Sequence, residues 1–168
     1  MKLIKTLIFL VMINISILSA EPQHFTFTQT NVMMTLRIKA DATLKIEGND
    51  LSTNDEIGVF TQDDVCVGAV VWEDQTVAFN VYGKTTTPPV DGLENDEIIN
   101  FRVWDNSENT EYDSVNVTLL DYLGNATDKK FKPAEPYKDI DILNAYENAL
   151  DAPQLSAPTD QSVNISTL

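Results

Sequence analysis

The sequence predicts an all-β domain: an antiparallel β-sandwich, immunoglobulin-like or jelly-roll-like, of about 8–10 strands. Three observations predict it. Short runs alternate apolar and polar residues at period two, so each has one buried face and one wet face. Clusters of Gly, Pro, Asn and Asp separate the runs at the short intervals that tight connections need. No long segment repeats its apolar residues at helical spacing. A closed barrel is the alternative architecture, because both arrangements hide strand edges.

Residues 1–20 read as a signal peptide. Lys2 and Lys5 give a positive start, Leu7 to Leu18 an apolar stretch, and Ser19-Ala20 a small-residue cleavage site. A membrane anchor would need about 18 or more uninterrupted apolar residues, and Asn14 and Ser16 interrupt this run. No cysteine stands near Ala20 for a lipoprotein anchor. The expectation is export to the cell surface or beyond, with no membrane insertion of the mature chain.

Residues 21–150 are expected to form the sandwich. Phe25 and Phe27 alternate with Thr26 and Thr28, Leu36 and Ile38 with Arg37 and Lys39, and Leu44 and Ile46 with Lys45 and Glu47. A hairpin follows: Ile57–Phe60 runs up, Thr61–Asp64 turns, and Val65–Trp72 runs back. The second run is apolar on both faces and reads as a central strand holding Cys66 inside. Thr76–Tyr82, Ile98–Trp104, Val115–Leu119 and Asp139–Ala145 supply further strands, and Gly83–Asp91, with two prolines, a loop. Asn54-Asp-Glu-Ile57 returns as Asn95-Asp-Glu-Ile98, each with a Phe three residues on, so equivalent strand starts are expected. The predicted core holds Phe60, Val67, Ala69, Val71, Phe79, Val81, Phe101, Val103 and Val117.

Charge narrows the partners. The formal net charge is −15; without Lys2 and Lys5, nine basic residues face 26 acidic ones, a net of −17. Such a chain repels nucleic acid and anionic lipid. Cationic partners and Ca²⁺ stay open, and the partners expected are neighbouring domains or surface polysaccharide or protein. From residue 151 the composition changes: Pro153, Leu155 and Pro158 lead into Asn164-Ile-Ser-Thr167. Residues 151–168 resemble a linker and the truncated opening of a fibronectin type III-like module.

The run from Asn54 to Asp105 carries a second resemblance. Asp55-Glu-Ile-Gly-Val-Phe60, Cys66-Val-Gly-Ala69, Asp91-Gly-Leu93 and Phe101-Arg-Val-Trp-Asp105 stand in order. They resemble a DEIGVF/CVGA/FRVWD β-module of large secreted multidomain proteins of Bacteroidetes and related bacteria. Asn54 stands where that module usually has Gly, and the turn at 61–64 lacks its Asp-Gly pair. The resemblance implies a non-enzymatic unit, often beside fibronectin type III-like repeats.

Candidate chemistry is sparse. The single histidine, His24, lies far in sequence from the single cysteine. No Ser/His/Asp set, zinc spacing or phosphate-binding loop is present. The expectation is no catalytic residue and no obligatory cofactor. For Ca²⁺, Asn49, Asp50, Asp55, Asp63 and Asp64 are hard oxygen donors in turns, although no D-x-D-x-D-G loop occurs. For a ligand, the alternation in 98–104 sets Asn100, Arg102 and Trp104 opposite the core face. Trp104 and Tyr82 could then stack on sugar rings, with Arg102 and Asp105 as polar partners. Against that stands Trp104 as a cover for its own sheet, or as a cation–π partner of Arg102. The function expected is therefore a structural or adhesive spacer, with a carbohydrate-binding module as the alternative.

Overall fold

A computed structural model describes residues 20–147. The leader expected over 1–20, apart from Ala20, and the fibronectin-like stretch at 151–168 lie outside the described residues. Twelve strands follow in order: β1 (Met33–Ile46), β2 (Asn49–Asp50), β3 (Glu56–Phe60), β4 (Cys66–Val71), β5 (Val77–Tyr82), β6 (Thr85–Thr86), β7 (Pro89–Val90), β8 (Asn100–Asp105), β9 (Thr110–Tyr112), β10 (Ser114–Leu120), β11 (Ala126–Thr127) and β12 (Lys138–Tyr146). No described residue is helical. The all-β sandwich is what the period-two pattern predicts, and the sheets do not close into a barrel.

One sheet runs β11-β10-β12-β1, with β5 along the first part of β1 and β2 at its end. The other runs β4-β3-β8-β9, and β6-β7 form a small separate hairpin. The strand pairings are antiparallel except one: β1 and β12 run parallel, Leu36 opposite Lys138 through Ile46 opposite Ala145. A parallel pair has no tight turn between its members, so first and last strands are natural partners. The chain thus enters β1 at one end of the sandwich and leaves β12 at the other. The exit end holds Ile46, Glu56, Trp72 and Tyr146; the far end holds Met33, the 61–64 turn, Gly83 and the 121–125 turn.

Leu36, Ile38, Ile140 and Leu143 of the first sheet face Ile57, Val59, Phe101 and Val103 of the second, in one core. Each fully buried side chain contributes roughly 1.5–3 kcal/mol. Two charged pairs pin β12. Arg37 donates to both carboxylate oxygens of Asp139 at 2.7 and 2.9 Å, and its guanidinium lies 4.4 Å from the Tyr137 ring centroid. Lys138 is fully buried, and its Nζ donates to Asp128 Oδ1, Asp128 O and Lys130 O at 2.8, 3.1 and 2.9 Å. Every N–H of the ammonium is matched, which makes burial of the charge tolerable.

Several expectations are corrected. By hydrogen bonding β4 is an edge strand; β3 and β8 are the interior ones. Apolar residues on both sides of β4 have another cause: Gly68 lies against β5, where a Cβ would sit 2.5 Å from Asn80 O. A register shift opposite Val59 and Phe60 breaks the alternation in β4. Val67 and Val70 therefore face the core, while Ala69 joins Phe60 and half-buried Cys66 in a second cluster on the outer face. Phe79 and Val117 pack against the core from partly buried positions.

The repeated letters also differ in phase. Ile57 is buried, whereas Ile98 is 46% exposed and Ile99 takes the buried place. The left-handed residue is Asn54 in the first copy and Asp96 in the second, one position later in the motif. A one-residue slip moves side chains to the opposite face. Accordingly Phe60 lies outside and Phe101 in the core. Finally, Phe25–Thr28 forms no strand; it belongs to a strap over the second sheet.

Candidate functional site

Alternation along β8 places Phe101 and Val103 inward and Arg102 and Trp104 outward, as the spacing predicts. Their outer face is covered. Residues 20–28 cross it from the exit end, where Ala20 N lies 2.8 Å from Glu73 Oε1. Glu56, buried on β3, receives Gln23, His24 and Phe25. The Gln23 amide donates to Oε1 at 2.6 Å, the His24 amide to Oε1 and Oε2 at 3.0 and 3.1 Å, and the Phe25 amide to Oε2 at 3.0 Å. A carboxylate needs this company to be buried.

Side chains complete the cover. Phe25 packs edge-on to Phe60 over Gly58, where a Cβ would stand 2.8 Å from the Phe25 ring. The absence of a side chain at Gly58 therefore makes the socket. His24 stacks on Trp104, and its Nε2 lies 2.8 Å from Glu111 Oε2. Arg102 bonds Glu111 at 2.9 Å, pairs with Asp64, and lies 4.4 Å from the Phe60 ring centroid. Burial pushes the Glu111 carboxyl up, but the hydrogen bonds from His24 and Arg102 outweigh it and hold the group below its ordinary range.

The four residues expected to form a sugar-binding face are not an open platform. Trp104 lies under His24. Tyr82, buried on β5 of the other sheet, stacks at 5.7 Å with Phe27 of the strap. Arg102 sits on Phe60 rather than on Trp104. Asp105 caps its own turn, accepting from Ser107 N, Ser107 Oγ and Glu108 N at 2.8, 2.8 and 2.9 Å. The signal for the cover was the alternating His24-Phe-Thr-Phe27, read as a strand.

The proposed Ca²⁺ donors are likewise separated. Asp50 and Asp55 lie at the exit end, Asp63 and Asp64 in the turn at the other end of β3. Asp50 pairs with Lys45 at 3.0 Å, and Asp64 with Arg102. Asp55 accepts from Ser52 N at 2.8 Å and Asn106 N at 3.1 Å, and burial pushes its carboxyl up despite those bonds. Among the described residues no three His, Cys, Asp or Glu side chains are grouped to hold a metal ion. Burial also pushes the Cys66 thiol up, away from the thiolate that nucleophilic chemistry requires.

The far end is the remaining candidate surface. A cleft of about 460 Å³ opens there between the 61–64 turn and the loop before β8, lined by Thr61, Gln62, Lys84, Glu94, Asp96 and Glu97. On the same end Ile98, Tyr122 and Leu123 are 46%, 53% and 69% exposed. The 121–125 turn is firmly built. Asp121 Oδ1 accepts from the amides of Leu123 and Asn125 at 2.9 Å each, which holds its carboxyl below the ordinary range. An apolar Tyr-Leu pair inside an Asp…Gly-Asn turn was the sequence signal for it. Among the described residues no helix is long and apolar enough to cross a membrane. Comparison with protein-family models, curated proteins and solved structures finds no match to this chain.

Proposed function

We propose that this domain is a non-enzymatic structural or adhesive module of a secreted or cell-surface protein. One observation carries the reading: the end opposite the chain exit at Tyr146 presents exposed Ile98, Tyr122 and Leu123, and a cleft of about 460 Å³ opens at the same end. Exposed apolar side chains at one end, two of them on a turn fixed by Asp121, favour contact with another surface. A module held by its exit end offers that tip outward. The leader-like start, the fibronectin-like stretch after residue 150 and the likeness to secreted multidomain proteins support an exported context. In this reading the partner is surface protein or polysaccharide, and no acid, base or nucleophile acts.

The test compares the wild-type chain with a Tyr122→Ser/Leu123→Ser variant on sensor surfaces coated with glycoprotein or polysaccharide. Binding by the wild type that drops at least tenfold in the variant supports adhesion through the tip. Equal binding by both moves the contact elsewhere. No binding by either leaves the spacer role alone.

A further inference from the structure

We propose that residues 20–28 are an exchangeable segment, and that the face beneath them is a docking groove for the same segment of a second copy of this chain. The proposal goes beyond the module reading and does not rest on it, since the groove lies away from the far-end tip. The segment adds no strand to either sheet. Its central holds are the Glu56 carboxylate, the Phe25 socket over Gly58 and the His24–Trp104 stack, with His24–Glu111, Phe27–Tyr82 and Ala20–Glu73 beside them. Between it and β1 the chain is tied near Gly83, through Thr30 Oγ1 to Gly83 O at 2.8 Å and Gly83 N to Val32 O at 2.7 Å. These ties sit at the far end, so the segment can lift without disturbing either sheet.

An empty groove is costly. Glu56 would lose its three amide donors, and the Phe60–Ala69 cluster would face water. A copy whose own segment is lifted is therefore an acceptor. The occupant it fits presents three successive amides, the second from a residue with a flat ring and the third from a phenylalanine; the identical segment meets all of these. Two copies that trade segments form a closed, self-complementary pair. Docking within one chain benefits from an effective concentration on the order of millimolar, so it dominates in dilute solution. Exchange becomes competitive where copies are crowded.

The test uses full-length chains in which neither partner can dock its own segment. Phe25→Asp disables the segment and leaves the groove; Gly58→Val fills the socket and leaves the segment. Each alone is expected to be monomeric by light scattering at about 20 μM, because neither variant has both an intact segment and an open socket, and neither competes by docking its own segment. Mixed, they are expected to form a 1:1 dimer that disappears when Phe25→Asp is added to the Gly58→Val chain. A mixture that stays monomeric overturns the proposal, as does a dimer that survives the double substitution. Self-association of Phe25→Asp as tight as the mixture also overturns it. Where Phe25→Asp fails to fold alone, recovery of its near-ultraviolet dichroism on adding Gly58→Val is the expected result. No recovery overturns the idea.

Discussion

The imidazole of His24 lies flat on the indole of Trp104, with ring centroids 3.7 Å apart and planes within 7°. An outward tryptophan on a sheet invites a reading as a ligand platform, and here the chain supplies its own ring. His24→Ala should red-shift tryptophan emission, because Trp72 is buried and Trp104 is the indole that gains water. Loss of the stack should cost about 0.5–1.5 kcal/mol in a denaturant titration. An unchanged spectrum would show that the stack is absent in solution.

Glu56→Gln should loosen the strap. The amide can accept at its oxygen only, and its NH₂ then faces N–H groups that need an acceptor. A stability loss of roughly 2–3 kcal/mol is expected from weakened charge-assisted bonds. Limited proteolysis should cut near residues 23–28 before the sandwich. Cleavage elsewhere first would place the weak point outside the strap.

Acid should act through Asp128, which hydrogen bonds from Lys138 and then Lys132 hold down at about 2. A depressed carboxyl contributes stability fully present above its unfolded value near 3.8 and lost as pH falls through about 2. The wild type should therefore lose stability between about pH 4 and pH 2, and Asp128→Asn should show a shallower slope there. Thermal melts across that window read the difference. Parallel slopes in the two proteins would remove Asp128 as the source.

Gly68→Ala tests the close approach of β4 to β5. The added methyl would meet the Asn80 carbonyl oxygen at 2.5 Å, and backbone there is held by β1. A loss of about 1–3 kcal/mol is expected from this overpacking. A neutral effect would mean the two strands sit further apart.

Much of the fold was legible because period-two alternation reports directly on burial. Inward Phe101 and Val103 against outward Arg102 and Trp104 came from spacing alone. Failures arose where one residue shifts the phase. The irregularity in β4 returns Val67 and Val70 to one face, and the second NDEI copy slips by one position. Neither leaves a mark in composition. The strap was missed for a different reason. Its Phe-Thr-Phe alternation matches a strand, but its amides bond to one carboxylate instead of a ladder. That partner, Glu56, lies 33 positions from Gln23, a distance over which pattern reading has no reach. For the Ca²⁺ donors, clustering in turns was visible, but which end of β3 each turn occupies was not.

Pairing of β1 with β12 also sets the order in which this protein can assemble. Arg37 and Asp139 stand 102 positions apart, so the sheet between them cannot form until nearly all of the described chain is available. Closing so long a loop precedes any reward from its contacts, which makes folding slow and late. The hairpins β3-β4 and β8-β9 can form earlier as local pieces, but each lacks a partner sheet. Until β12 arrives, the first sheet lacks the strand that lies between β1 and β10, and the core has only one finished wall.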